Sequence, residues 1–147
     1  MTIPEQITYI YTNLEYWHNN KLSEEQANLY HERLLVNGNI LTYVRNDKLY
    51  GYLEYWRISS EQLGRIVLGV PILTDVEDIS NGPICYINNT YIDYSYRNGE
   101  AFEMLSTMLL VKNRDAEFFV ACRNNKHAKP IKVYSRNDLI KLYTKGV

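Results

Sequence analysis

Cysteine is nearly absent from this sequence: Cys85 and Cys122 are the only two in 147 residues. Two cysteines build neither a disulfide framework nor a thiolate zinc site, which points to a reducing, cytoplasmic setting. Histidine is also scarce. His18, His31 and His127 lie in separate segments without ligand spacing, so no metal site is expected. Long apolar runs are missing, and no basic stretch leads into an apolar one, so neither a membrane span nor a secretory leader is expected. With 7 glycines and 4 prolines there is no low-complexity tract, repeat or linker. The remainder is ordinary for a globular chain, 46% hydrophobic and 22% charged, and a single domain over residues 1–147 is the expectation.

Net charge is likewise small, at -1, but it is a cancellation. Residues 1–111 hold 7 basic and 14 acidic side chains, whereas residues 112–147 hold 9 basic and 3 acidic, so -7 meets +6. A basic C-terminal end suits an anion, whether nucleic acid, an acidic partner or a phosphorylated cofactor, with segment 123–136 as its centre. A solvated basic surface balancing an acidic one is the alternative. Tyrosine stands out at 14 residues against 3 Phe and 2 Trp, as expected for half-buried strands whose hydroxyls reach water.

Periodicity supplies the elements. Ile3, Ile7, Ile10, Tyr11, Leu14 and Trp17 follow Pro4 at helical spacing. Ser23 and Gln26 form a capping box for a second helix that Gly38 ends. Ile40–Arg45 and Leu49–Ile58 read as a hairpin about Asn46-Asp47. Ser59 to Val67 suits a short helix, and Pro71 with the acidic run Asp75–Asp78 reads as loop. Ile84–Tyr94 is a long strand whose Asn88-Asn89 pair suggests a bulge. A helix from Ala101 to about Asn113 follows, then an apolar strand Phe118–Cys122, a basic turn, a strand Ile131–Tyr134 and a last helix capped near Asn137-Asp138. The order predicts an α+β fold: N-terminal helices, an antiparallel hairpin, a β-α-β unit and a basic C-terminal hairpin and helix.

The turn Tyr96-Arg97-Asn98-Gly99-Glu100-Ala101 joins a strand to a helix. Helix N-terminal amides point outward with no internal partner, so this turn suits an anion, with Gly99 allowing close approach and Arg97 neutralising charge. Glu100 opposes it. An ordinary strand-to-helix turn is the competing reading. From Tyr91 through Ala101, with Leu105 and Leu109 behind, the run resembles the acetyl-CoA-binding motif of GNAT-type N-acetyltransferases, and the likeness extends over roughly residues 39–125. Its layout is also similar to short acetyltransferase-like proteins of bacterial viruses. The resemblance implies acetyl-CoA or another acyl-CoA as cofactor, with its pyrophosphate on Arg97, Asn98, Gly99, Glu100 and Ala101. It also implies pantetheine pairing with backbone at Tyr91, Ile92 and Asp93. Three features depart from the family pattern. Arg97 falls one place late, the turn has a single glycine, and Pro130 with the spacing of Asn125, Ala128 and Tyr134 breaks the usual later helix.

Acetyl transfer from a thioester to an amine requires a base, a proton for the leaving thiolate and donors for the oxyanion. Glu54 is the first candidate base, since Tyr52, Tyr55 and Trp56 around it would raise its pKa; a strand glutamate facing solvent is the alternative. Asp93 is placed to orient an amine or merely to bound its strand. Tyr91 or Tyr134 would return the proton. The cysteines are expected to pack as small hydrophobes. The expected activity is acyl-CoA-dependent N-acyl transfer to an unspecified amine of a small molecule or protein. The alternatives are an inactive binding or inhibitor protein on the same scaffold, and a nucleic-acid-associated protein.

Overall fold

The computed structural model describes residues 1–13, 23–67, 82–96, 99–121, 132–135 and 137–138. Helix α1 (Ile3–Asn13) starts where Thr2 and Glu5 exchange hydrogen bonds, the Thr2 amide to Glu5 Oε1 at 3.1 Å and the Glu5 amide to Thr2 Oγ1 at 3.3 Å. Its expected continuation to Trp17 lies outside the described residues. Helix α2 (Glu24–Asn37) is capped as its sequence requires, with Ser23 and Gln26 bonded reciprocally. At its other end Gly38 adopts φ 78°, and the Gly38 and Asn39 amides return to the Leu35 and Leu34 carbonyls.

Strands β1 (Ile40–Arg45) and β2 (Lys48–Ile58) form the hairpin. Asn46 and Asp47 turn it with φ of 52° and 62°, the pair of positive values that matches the strands' twist. Gln6 of α1 clamps the turn, donating to the Asp47 carbonyl at 2.9 Å and accepting from the Leu49 amide at 2.8 Å. Helix α3 (Ser60–Val67) has a second capping box between Ser59 and Gln62. Strand β3 (Ile84–Ile92) contains Asn88-Asn89, where the sequence suggests a bulge, and a register shift lies in the hairpin, between Tyr43 and Val44. A single 3-10 turn (Tyr94–Tyr96) and helix α4 (Glu100–Lys112) lead to β4 (Phe118–Ala121) and β5 (Lys132–Ser135). The five strands follow the order β1-β2-β3-β4-β5, with β4 parallel to β3 and β5 antiparallel to β4. This is the α+β plan read from the sequence.

Two compact units share the elements, one of Met1–Glu54 with Asn89–Met108 and one of Tyr55–Asn88 with Leu109–Val147. In the first, Ile7, Tyr11, Leu34, Leu41, Tyr52 and Leu105 form the core. In the second, Trp56, Ile58, Cys85, Leu109, Phe119 and Val120 do so. Cys85 is buried among them as a small hydrophobe, as expected, whereas Cys122 lies outside the described residues. Arg57 closes the second unit, donating to the Gly82 carbonyl at 2.8 Å and pairing with Asp115 at 2.7 Å. Among the described residues no helix is long and apolar enough to cross a membrane.

Candidate functional site

Glu54 lies on β2 of the first unit and is only 1% exposed, so the solvent-facing alternative is excluded. A buried carboxylate needs hydrogen-bond donors. Here each oxygen has one: the Tyr30 hydroxyl of α2 donates to Oε1 at 2.7 Å, and the Asn89 amide of β3 donates to Oε2 at 2.6 Å. Burial, and then the Glu54 charge and hydrogen bond, push the Tyr30 hydroxyl far above the ordinary tyrosine range, so it remains a donor. Tyr11 is pushed up to about 12 by burial and, after it, by the Glu54 charge. The surround is therefore polar at its centre. Tyr52, Tyr55 and Trp56 are buried as the sequence suggested, but the atoms that hold the carboxylate belong to α2 and β3.

Behind Tyr30 lies a second buried polar group. His31 Nδ1 is 2.8 Å from Thr8 Oγ1 of α1, and its ring meets the Tyr11 and Tyr30 rings edge-on at 5.1 Å and 5.4 Å. Burial lowers its pKa to about 4, so His31 is neutral at pH 7. Tyr30, His31 and Asn89 were not read from the sequence as site residues. Asn89 alone carried a signal there, a polar residue within a strand pattern.

Asp93 closes β3. Its amide donates to the Tyr50 carbonyl at 2.7 Å, and its Oδ1 accepts from the Ser95 amide at 3.0 Å and the Ser95 hydroxyl at 2.6 Å. The Ser95 hydroxyl is the first cause that holds its pKa below the usual value. This is an Asx turn, and it starts the 3-10 segment that leads to Gly99. Tyr91 and Ile92 are half-buried at the end of β3. A Cβ at Gly51 on the neighbouring strand would stand 3.1 Å from the Tyr91 carbonyl oxygen, so glycine there lets the two backbones approach.

Gly99 has φ 106°, and its carbonyl accepts from the Glu103 amide at 2.8 Å to begin α4. Among the described residues, leaving out its chain neighbours, no heavy atom lies within 4 Å of the place where a Cβ would stand. The backbone is therefore open at this turn, and glycine is required only by its dihedral. Gly99→Ala is expected to cost ~1–2 kcal/mol, read as a lowered urea midpoint with unchanged slope; an unchanged midpoint would contradict the strained dihedral. Glu100, which opposes an anion, is engaged elsewhere. Its Oε1 accepts from the Tyr43 hydroxyl at 3.1 Å and lies 3.7 Å from Arg45 Nη2, which offsets the charge. Tyr96 packs against Tyr43 and Tyr50, with ring centroids 5.6 Å and 4.4 Å apart, and fixes the turn's approach. Ala101 is fully buried in the first turn of α4.

Arg97 and Asn98 lie outside the described residues, as does segment 123–136 except for Lys132, Val133, Tyr134 and Ser135. Tyr134 is half-buried on β5 of the second unit, opposite Phe119 of β4. The first unit thus brings together Glu54, Tyr30 and Asn89 in one place, and Asp93, Gly99, Glu100 and Ala101 around the strand-to-helix turn. Among the described residues no group of three or more His, Cys, Asp and Glu could hold a metal ion.

No family model matches the sequence, and no curated protein sequence matches it. Solved structures do. GphF, a GNAT-like decarboxylase in complex with isobutyryl-CoA, is 12% identical over 80% of this chain and 60% of its own, with a TM-score of 0.55. The loading GNATL domain of CurA from Lyngbya majuscula is 19% identical over 90% of this chain and 68% of its own, with a TM-score of 0.51. The chain spans less than two-thirds of the GphF chain. Together with the mixed five-stranded sheet and the helix that follows β3, these matches show that the chain has the GNAT-like fold.

Proposed function

We propose that this protein is an acyl-CoA-dependent N-acyltransferase that moves an acyl group from the thioester to an amine by direct attack. The observation that carries the reading is the Glu54 carboxylate, buried on β2 and fixed at both oxygens within a GNAT-like fold. The turn fits an acyl-CoA on its own chemistry. Gly99 leaves the backbone open, the amides that begin α4 point outward, and Arg45 offsets Glu100. Gly99, Glu100 and Ala101, with Arg97 and Asn98, would hold the diphosphate, and Tyr91, Ile92 and Asp93 would border the pantetheine. The bound thioester supplies the acyl group.

This chain's residues do the rest. Glu54, through Oε1 or Oε2, takes the proton that the acceptor ammonium must lose. Asp93, held by Ser95, keeps the end of β3 in place and orients the amine. GphF was solved with isobutyryl-CoA, which supports acyl chains longer than acetyl as candidates for this chain too.

Cofactor binding is tested without an acceptor. At a concentration of acetyl-CoA about 100 times its Kd, a native-state ligand adds ~2.7 kcal/mol, which for a chain of this size raises Tm by on the order of 5–10 °C. An unchanged Tm at millimolar acetyl-CoA would overturn the reading. A raised Tm without acyl transfer to any amine in a broad panel would turn it into a binding protein on the same scaffold.

A further inference from the structure

Within the cluster around Glu54 one oxygen has no partner among the described residues. Asn89 is 5% exposed, its amide nitrogen is committed to Glu54 Oε2, and its carbonyl oxygen Oδ1 is buried with no hydrogen bond. The orientation of this amide is set by chemistry, because a carbonyl oxygen turned toward the carboxylate would meet a second acceptor. Oδ1 is therefore held away from Glu54 by the bond its own nitrogen makes. Asn28 Oδ1 is the other such atom among the described residues, but Asn28 is only half-buried on α2. Buried polar atoms in folded proteins almost always have partners, and one left without a partner calls for a ligand or a functional cause.

We propose that Asn89 is the residue that receives the amine: its Oδ1 accepts an N–H of the acceptor's ammonium group, beside the carboxylate that its Nδ2 fixes. The identification of that ammonium as the acyl acceptor rests on the acyltransferase reading. The ligand chemistry follows from the atoms. An acceptor oxygen adjacent to a carboxylate selects a compact cation that carries N–H donors, and it disfavours anions and quaternary ammonium ions, which have none to give. Tyr30 shares the work on the other side, since its bond to Oε1 leaves Oε2 and Oδ1 to be set by the same Asn89 side chain. Asn89 would thus touch the substrate, and Tyr30 would act only through Glu54 as a positioning residue.

The test needs no turnover. Methylammonium chloride is titrated into the protein while the side-chain amide signal of Asn89 is followed in a nitrogen–proton correlation spectrum, assigned by its loss in Asn89→Asp. A saturable displacement of that signal is expected with methylammonium and none with tetramethylammonium at equal ionic strength. No displacement, or an equal one with both cations, would overturn the proposal and leave Oδ1 to an ordinary bound water. Methylammonium protection of the unaltered fold in thermal melts is expected as well. In Asn89→Leu it is expected to vanish. Should Asn89→Leu fail to fold, the comparison of the two cations on the unaltered protein decides the matter. Methylammonium binding with no response to acetyl-CoA would keep this site and remove the acyltransferase reading; the reverse result would do the opposite.

Discussion

Substituting Glu54 by glutamine is expected to lower kcat for acyl transfer by about 10²–10⁴-fold, the usual contribution of a positioned general base. The KM for acyl-CoA should stay within a few fold, because Glu54 is not among the residues assigned to the cofactor. The substitution is close to isosteric, and its surroundings can accommodate it. The Tyr30 hydroxyl that donates to Oε1 at 2.7 Å can donate to the amide oxygen of glutamine equally well. On the other side, Asn89 Nδ2 would meet a second amide nitrogen, but a half-turn of the Asn89 amide presents its unpartnered Oδ1 instead. The fold is thus retained, while the proton acceptor is lost and the Asn89 oxygen turns from the amine to the new amide. Steady-state kinetics with a fixed amine acceptor, alongside a thermal melt, separates the two effects. A kcat within about tenfold of the unaltered protein would remove Glu54 from the role of base. A collapse of the melt would mean that the carboxylate's charge is needed by the fold itself.

The elements were largely legible in the sequence because their signals are local. Ser23 with Gln26, and Ser59 before α3, sit within three residues of what they cap. Asn46 and Asp47 occupy the two positive-φ positions that their side chains tolerate. The apolar run at Phe118 becomes β4, flanked on both sides by other strands. Boundaries were less legible, with β2 starting at Lys48, one residue before the apolar run that announced it.

The site was legible only as a residue type. Glu54 stood out as a carboxylate among aromatic neighbours, yet its burial was not readable, since residues 51–56 are all buried and the usual alternation of strand faces gives no cue there. What holds it lies 24 and 35 residues away, in Tyr30 and Asn89, and no spacing rule connects those positions. Asn89 did register, as a possible bulge. The same polarity within a strand has two physical outlets: the backbone can bulge to reach water, or the side chain can find a buried partner. Here the carboxylate on β2 supplies the partner to the side chain. Glu100 shows the converse. Its charge argued against an anion at the turn, and only the hairpin's Tyr43 and Arg45, distant in sequence, remove that objection.

Acid should weaken this fold through His31, by about 3 kcal/mol. Burial lowers its pKa from the usual histidine value of 6.5 to about 4, and at about 1.36 kcal/mol per pH unit that difference is worth about 3 kcal/mol. The unfolded chain therefore takes up a proton below pH 6.5 that the folded chain refuses until about pH 4. Stability from the neutral imidazole is complete above pH 6.5, falls as pH drops through this window, and falls no further below it. The groups that face His31 explain the refusal. Thr8 on α1 offers a hydroxyl, and Tyr11 and Tyr30 offer ring edges, none of which carries a compensating negative charge at these pH values. Urea unfolding of the native protein and of His31→Gln at pH 7.5 and pH 4.5 isolates the contribution from that of the carboxylates, which titrate in both. The native protein should lose about 2.5 kcal/mol more than the variant across that interval, and parallel losses would show that His31 charges as readily in the fold as out of it. Because Tyr30 lies between His31 and Glu54, a proton forced onto the imidazole also disturbs the hydroxyl that fixes the carboxylate. Loss of acyl transfer on the acid side should accordingly be shallower in His31→Gln than in the native protein, which ties the stability of the α1–α2 packing to the chemistry on β2.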